Sequence, residues 1–153
     1  MQRAENRIEI SVRGQTLTVK RGDDALRSYP ISTSRFGLGT EVNSFKTPTG
    51  RFRIAEKIGH GMPLDTVFVG RVPLRNQDLL PRTDDFIMAR ILWLDGMEED
   101  NMNTRDRYIY IHGTKHDDKI GAPASHGCIR MRNADVAELF DLVEEGTPVV
   151  IRE

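Results

Sequence analysis

The chain has 153 residues, of which 38% are hydrophobic and 29% are charged, a composition typical of one globular domain over residues 1–153. Lysine and arginine total 22 against 23 for aspartate and glutamate, so the net charge of −1 argues against nucleic-acid and polybasic membrane partners. The single cysteine excludes an internal disulfide, so the fold does not require an oxidising compartment.

The first residues, Met1 to Arg7, lack the apolar stretch of a secretory signal, and no later segment is long and apolar enough to cross a membrane. We therefore expect a cytoplasmic protein. A leader removed from a longer precursor would instead place the protein in the periplasm or cell envelope.

The N-terminal quarter has the pattern of a β-hairpin. Apolar residues alternate with polar ones over residues 8–12 and 17–19, and a turn sequence at residues 13–15 separates the two runs. A third strand is predicted over residues 26–32. The turn sequence Lys46-Thr47-Pro48-Thr49-Gly50 then leads into a strand over residues 51–54.

Residues 56–106 form the least regular third, because glycine and proline interrupt it repeatedly. Within it, the apolar run from Phe86 to Leu94 predicts a core strand, with Trp93 in the core or in a pocket wall. We expect His60 in a surface loop. Residues 96–107 are rich in acidic and amide side chains and predict a solvated loop.

The segment 108–133 holds three of the four histidines and the only cysteine. Its first four residues are β-branched or aromatic, which predicts a strand with Tyr108, Tyr110 and His112 on one face. We expect Gly113 to end that strand and to leave the imidazole at a strand end that a cleft can reach.

Cys128 follows Gly127, which permits a sharp turn and a close backbone approach. A thiol becomes a nucleophile when an imidazolium or backbone N–H groups stabilise its thiolate, and His112 is the candidate base. Amides around Gly127 and Cys128 are candidate donors to an oxyanion. Asp117 and Asp118 lie in the nearby loop, and the residue that orients the imidazole stays open at this point.

Two other interpretations compete with the nucleophile. A lone cysteine is most often a buried, inert hydrophobe; the polar neighbours His126 and Arg130 favour a reactive thiol instead. Zinc is the second alternative, since His112, His116, His126 and Cys128 offer four ligands, but their spacing matches no familiar zinc finger. We therefore predict no metal and no cofactor.

The C-terminal segment has the clearest helical pattern. Asn133 is a predicted N-cap, Asp135 lies in the first turn and Gly146 follows the end. A last strand is predicted over residues 149–151. The chain is therefore expected to be mostly β, with one clear helix in its C-terminal half, whose apolar face is Val136, Leu139, Phe140 and Val143.

Two motifs, Ile111-His112-Gly113-Thr114 and Ser125-His126-Gly127-Cys128-Ile129-Arg130-Met131 with Asn133, resemble the signature of the L,D-transpeptidase catalytic domain (YkuD) family. Residues 46–52 and 90–94 extend the resemblance over most of the chain. The histidine precedes the cysteine, whereas papain-like peptidases have the opposite order. The resemblance implies a β-rich sandwich or barrel-like fold, with residues 56–106 contributing a lid or cleft wall.

The resemblance also implies roles for single residues. Cys128 corresponds to the nucleophile and His112 to the base, with the Gly113 carbonyl orienting the imidazole. Arg130 occupies a position where the family often has asparagine. The residues expected to shape the oxyanion and substrate pocket are Ser125, His126, Gly127, Arg130 and Tyr110.

By the same resemblance, the substrate is the peptidoglycan stem tetrapeptide or a muropeptide, cleaved between an L-configured centre and a terminal D-alanine. Release of the thioester to water makes an L,D-carboxypeptidase, which we expect for a cytoplasmic chain. Release to an amine makes an L,D-transpeptidase that forms 3→3 cross-links. A non-catalytic peptidoglycan-binding module is the third alternative. Carbapenems are expected to acylate the thiol.

Overall fold

The computed structural model describes residues 5–75, 80 and 86–153. These residues form ten strands, one α-helix and two short 3-10 helices, at Glu99–Asn101 and Asp117–Lys119. The strands and helix in chain order are β1 (Asn6–Ser11), β2 (Thr16–Arg21), β3 (Asp24–Pro30), β4 (Gly50–Ile58), β5 (Val67–Val69), β6 (Val72–Pro73), β7 (Ile87–Gly96), β8 (Tyr110–Gly113), β9 (Ile129–Met131), α1 (Asn133–Leu142) and β10 (Pro148–Arg152).

The predicted N-terminal hairpin is confirmed. β1 and β2 pair antiparallel with Ile8 opposite Val19 and Ile10 opposite Leu17, and all four side chains are buried. Alternation with period two places these residues on the core face of the sheet. β3 pairs with β2 and begins at Asp24, two residues before the predicted start at residue 26.

The strands form one curved sheet in the order β3-β2-β1-β10-β4-β7, and β8 and β9 continue from the other edge of β7. The segment after β3 then returns to β9. Ser32 N–H donates to the Arg130 carbonyl at 2.9 Å, and Arg130 N–H donates to the Ser32 carbonyl at 2.8 Å. This return makes the sheet barrel-like, and the prediction of a mostly-β fold with one helix is confirmed.

β7 is a core strand, as the apolar run over residues 86–94 predicted, and most of its side chains are buried. One edge pairs with β4 and the other with β8. β4 extends to Ile58, beyond the predicted end at residue 54, because β7 offers partners as far as Ile91. The adjacent charged residues Glu56 and Lys57, next to a register irregularity after Ile54, interrupt the alternation that marks a strand in the sequence.

The helix α1 packs against β7 and β8 and buries its predicted apolar side chains. Each fully buried aliphatic or aromatic side chain contributes roughly 1.5–3 kcal/mol relative to an exposed one. The helix therefore holds the strand that carries His112 against the core. It ends at Leu142, before the predicted stop at Gly146.

The predicted N-cap role of Asn133 is wrong. Arg132 is the N-cap and makes no side-chain capping bond, and Asn133 is the first helical residue. The Asn133 Oδ1 atom instead accepts a hydrogen bond from Thr114 N–H at 2.9 Å. Asn133 thus joins the start of α1 to the residue that follows β8.

Residues 96–107 are also less solvated than predicted. Asn101 and Thr104 are buried, with 1% and 0% of their surface exposed. The Asn101 side chain donates to the carbonyls of Thr49 and Arg51 at 3.2 and 3.1 Å. Its amide group therefore adds side-chain hydrogen bonds to the backbone pairing at the start of β4, which composition alone does not reveal.

None of the helices in the described part of the chain has the length and apolar character needed to span a membrane.

We expect Asn133→Ala to lower the free energy of unfolding by about 1–2 kcal/mol, because the Thr114 N–H loses its partner. Urea denaturation monitored by circular dichroism measures the change. Asn133→Asp keeps an acceptor oxygen and is the matched control, expected to lie within about 0.5 kcal/mol of the wild type. Equal losses for both variants would contradict the assigned hydrogen bond.

Candidate active site

The thiol of Cys128 lies against the backbone at the start of β8. β8 and β9 pair in parallel, with Ile111 opposite Ile129 and His112 opposite Arg130. Tyr110 N–H donates to Cys128 Sγ at 3.3 Å, and Sγ lies 3.4 Å from the Tyr108 carbonyl oxygen. The amide stabilises a thiolate, and the carbonyl accepts the proton of a thiol, so both protonation states of the sulfur have a backbone partner.

His112 follows Tyr110 by two residues on the same strand and the same face, a separation of about 7 Å along β8. Because β9 runs parallel to β8, Cys128 and His112 are brought to one side of the sheet. His112 is 1% exposed. The expectation of an imidazole open at a strand end is therefore wrong, since Gly113 continues β8 and pairs with Met88.

The backbone fixes the tautomer of His112. Its Nδ1 atom lies 2.5 Å from the Gly113 carbonyl oxygen. A carbonyl only accepts, so Nδ1 carries the proton and Nε2 presents its lone pair. This geometry has the form that the resemblance implies for Gly113, and it needs neither Asp117 nor Asp118.

Gly113 has no room for a side chain. A Cβ atom there would collide with Asn133 Oδ1 and lie 2.7 Å from the Met88 carbonyl oxygen. The absence of a side chain thus lets β7 and α1 close around the residue whose carbonyl holds the imidazole.

Ser125 lies inside the turn that carries the thiol. It is 0% exposed; its hydroxyl donates to the Cys128 carbonyl at 2.6 Å and accepts from Gly127 N–H at 3.3 Å. Gly127 has φ +121°, which favours glycine. The Gly127 amide, expected as an oxyanion donor, therefore serves the turn, while the Cys128 amide remains a predicted donor.

A second side chain braces the same turn from the opposite side. Thr47 Oγ1 donates to the Gly127 carbonyl at 2.9 Å and accepts from Ser34 N–H at 3.0 Å. Thr47 lies within residues 46–52, which the sequence analysis assigned to a turn and to the family resemblance without giving Thr47 a role.

Arg107 is a site residue that the sequence analysis missed. Its guanidinium donates to the carbonyls of Lys46 and Gly39 at 2.8 and 3.3 Å, so it holds the loop before Thr47. Burial lowers the pKa of Arg107, although an arginine stays cationic at neutral pH. Its position inside a run of charged residues gave no signal of this contact.

His126 is exposed and points to an aromatic rim rather than into the core. Its Nε2 atom lies 2.9 Å from Arg35 Nη2, and its ring lies 5.9 Å from Phe36 and 6.0 Å from Phe45. Phe36 and Phe45 are 46% and 53% exposed. This rim adjoins the turn, since the Phe45 carbonyl oxygen lies 3.6 Å from the Cβ position of Gly127.

Arg130 is buried on β9 with its side chain on the same face as His112, because register partners in a parallel pair share a face. The structure thus brings the predicted catalytic pair and Arg130 to one side of the sheet. The predicted contact of Arg130 with substrate stays a prediction.

Tyr110 and Trp93 line the other side of the thiol. Tyr110 is buried in a small cluster with Phe68 and Ile91, against which Cys128 and Trp93 pack. The Trp93 ring meets Tyr110 edge-on at 5.7 Å. Burial raises the pKa of Tyr110, so its hydroxyl stays protonated at neutral pH.

The prediction that the strand begins at Tyr108 is wrong. The φ of Tyr108 is 56° and the residue is 55% exposed, and β8 begins only at Tyr110. The turn exposes the ring while directing the Tyr108 carbonyl to Cys128. The contact between the Tyr108 carbonyl and the thiol is therefore made at the expense of the local β propensity of Tyr108.

Arg71 is the second missed residue. It lies in the turn between β5 and β6, and its Nη1 donates to the Tyr110 hydroxyl at 3.1 Å. The guanidinium carbon lies 4.6 Å from the Trp93 ring centre and 5.2 Å from that of Tyr108. Valines on both sides of Gly70-Arg71 were the available hairpin signal.

Residues 76–79 and 81–85 of the predicted lid region lie outside the described residues.

In the described ranges, no group of three or more histidine, cysteine, aspartate or glutamate side chains is arranged to hold a metal ion. His60 lies on the surface, as predicted, with its ring 6.3 Å from Phe140.

Comparison with known proteins connects this geometry to a family. The L,D-transpeptidase catalytic domain (YkuD) profile matches residues 5–151. The putative L,D-transpeptidase YkuD of Bacillus licheniformis is 29% identical over 145 residues, which cover 95% of this chain and 64% of that protein. The chain thus spans less than two thirds of the length of this relative.

Solved structures show the same fold. An L,D-transpeptidase from Mycobacterium smegmatis superposes with a TM-score of 0.64 at 20% identity, covering 98% of this chain and 59% of that one. LdtMt1, an L,D-transpeptidase solved with imipenem, gives 0.61 at 22% identity, covering 97% and 59%. The profile match over nearly the whole chain is decisive: the protein belongs to the L,D-transpeptidase catalytic domain (YkuD) family.

Proposed function

We propose that this protein is an L,D-carboxypeptidase that removes the terminal D-alanine from peptidoglycan stem tetrapeptides through an acyl-enzyme on Cys128. The observation that carries the proposal is the parallel pairing of β8 and β9. It supports the proposal because it brings Cys128, whose sulfur accepts from Tyr110 N–H, and His112, whose Nδ1–H is directed to the Gly113 carbonyl, to the same side of the sheet.

In the first half of the reaction, His112 Nε2 takes the thiol proton, and the sulfur attacks the carbonyl carbon of the scissile bond. The C–N bond of the resulting tetrahedral intermediate then breaks. His112 returns the proton to the leaving amine, which departs as D-alanine and leaves a thioester on Cys128. The tautomer fixed by Gly113 suits both transfers, since Nε2 is the atom that exchanges the proton.

In the second half, His112 removes a proton from water, and the hydroxide oxygen attacks the thioester carbonyl. The C–S bond breaks, the tripeptide is released with a new carboxylate and the sulfur regains its proton. Hydrolysis therefore needs only the two side chains already in place.

An amine acceptor is the alternative, and the names of the relatives favour it, since they are L,D-transpeptidases. To transfer to an amine, the site must hold a second stem peptide well enough to compete with ~55 M water. The contacts around Cys128 account for a nucleophile and a base, which is sufficient for hydrolysis. We therefore propose water as the acceptor of the acyl group, with an amine acceptor and 3→3 cross-linking as the alternative.

The intact pair of Cys128 and His112 argues against a non-catalytic peptidoglycan-binding module. We propose soluble muropeptides as substrates and the cytoplasm as the compartment. Cell fractionation with an antibody tests the compartment. Acylation by a carbapenem is part of the proposal, supported by the imipenem complex of LdtMt1.

We expect Cys128→Ala to lower tripeptide formation from a tetrapeptide by about 10³-fold or more, because no other described side chain replaces the nucleophile. Liquid chromatography of the products measures the loss. The variant should keep the wild-type unfolding curve within about 1 kcal/mol, which separates lost chemistry from lost fold. Wild-type turnover by a folded variant would rule out the acyl-enzyme.

Activity should survive treatment with a chelator, because the proposed steps use only a thiol and an imidazole. Elemental analysis of the purified protein is expected to find no stoichiometric zinc. One tightly bound zinc per chain, with activity lost on its removal and restored on its return, would replace the thiol mechanism with metal chemistry.

Incubation with a disaccharide tetrapeptide should release D-alanine and give mainly tripeptide, because water needs no second binding site. Mass spectrometry of the products distinguishes tripeptide from dimer. Addition of a second stem peptide at millimolar concentration provides the competing amine. Predominant 3→3 dimers under that condition would assign the transpeptidase reaction instead.

A further inference from the structure

We propose that Arg71 binds the carboxylate of the residue that Cys128 cuts off, which makes it the determinant of specificity for a free peptide C-terminus. This inference rests on the proposed substrate, a stem peptide, and holds for either acceptor. It concerns the leaving residue, which is released before water or an amine enters.

The position of Arg71 relative to the thiol is set by Tyr110. At one end of this residue, the backbone amide donates to Cys128 Sγ at 3.3 Å. At the other end, the hydroxyl accepts from Arg71 Nη1 at 3.1 Å. A scissile carbonyl carbon and the carboxylate of a one-residue leaving group are ~3.5 Å of backbone apart. With about 3 Å for the approach of the sulfur and about 3 Å for the ion pair, such a leaving group can bridge roughly 9–10 Å between Sγ and the guanidinium. One tyrosine therefore connects the reacting sulfur to the cation.

Aromatic rings hold the guanidinium in place without neutralising it. Arg71 lies over the faces of Trp93 and Tyr108, at 4.6 and 5.2 Å from the ring centres. Stacking fixes the plane of the guanidinium and leaves its N–H edges for a ligand. The Tyr110 hydroxyl uses one of five N–H donors.

A second arginine on the same ring, Arg105, provides a comparison for the charge of Arg71. Arg105 also lies over Trp93, at 4.8 Å from the ring centre, and it is paired with Glu56 at 2.5 Å. For Arg71, no carboxylate lies within 4.0 Å in the described part of the chain. Among the described residues, Glu56 forms an ion pair with Arg105 and attracts Arg71 only over a longer distance, so the guanidinium of Arg71 can take an anionic ligand.

A carboxylate is the anion that fits. Its two oxygens accept two parallel N–H donors from one guanidinium. A neutral peptide amide has a single oxygen and cannot accept in this way, and a lysine ammonium cannot donate in this way. Arg71 is partly buried, and its contacts with the Tyr110 hydroxyl and the Trp93 ring place it against the apolar cluster that contains Tyr110. Partial removal of water there strengthens the ion pair relative to one on an open surface.

The test compares a stem tetrapeptide ending in D-alanine with the same peptide ending in D-alanine amide, which changes only the terminal charge. Binding is measured by calorimetry on the Cys128→Ala variant, so that no turnover intervenes. We expect the acid to bind about 10- to 100-fold more tightly than the amide. Adding Arg71→Gln should bring this ratio close to one, and Arg71→Lys should keep part of it.

The double variant Glu56→Gln, Arg105→Gln is the matched control and should leave the acid-to-amide ratio unchanged, because it removes the other cation from Trp93 together with the carboxylate that would otherwise turn to Arg71. Equal affinity of the Cys128→Ala protein for the two peptides overturns the role of Arg71, and so does an equal loss of both affinities in the Arg71→Gln variant. Failure to bind either peptide overturns the proposed function along with it. Formation of dimers by the active enzyme changes the acceptor alone and leaves this inference standing.

Discussion

The parallel pairing of β8 and β9 is the constraint on which the site depends. It fixes three things at once: Cys128 lies opposite the start of β8, His112 lies two residues further on, and both reach the same side of the sheet. A parallel pair cannot be closed by a tight turn, so the chain must cross over between residues 113 and 129. That crossover brings in the Ser125 turn and lets Asn133 bind Thr114, so the nucleophile, the base and the helix are positioned together.

Backbone groups perform tasks here that side chains perform in other cysteine enzymes. The Gly113 carbonyl orients the imidazole, and the Tyr110 amide stabilises the sulfur. Groups of this kind cannot change rotamer, so the geometry is as rigid as the strand that carries it. The same choice explains two departures from ordinary β structure: Gly113 has no side chain because β7 and α1 close on it, and Tyr108 adopts φ 56° as it directs its carbonyl to the thiol.

The charges around the thiol are arranged unequally. Arg105 and Glu56 form an ion pair at the surface of Trp93. The guanidinium of Arg107 donates to carbonyls of the loop that precedes Thr47. Arg71 is held by aromatic faces and a hydroxyl, which leave its charge intact. Through Tyr110, this cation is linked to the residue whose amide binds the Cys128 sulfur, which is why we propose an anionic ligand for it. The neighbouring rim of Phe36, Phe45 and His126 adds exposed aromatic surface next to the turn.

The sequence by itself determined the N-terminal hairpin, the core strand around Leu92 and the helix, because these depend on local periodicity. Its contiguous motifs also predicted His112 and Cys128 as candidate base and nucleophile, and the structure brings both to one side of the sheet. Only the tertiary structure decided what the residues touch. Asn133 has the pattern of an N-cap, yet its side-chain oxygen accepts a hydrogen bond from Thr114 N–H, 19 residues earlier in the chain. Ser125 and Gly127 bind each other within the turn, and Arg71 reaches the site from a hairpin 39 residues before Tyr110. A hydrogen-bonding group takes the partner that folding brings nearest, and partners distant in the chain leave no periodic trace in it.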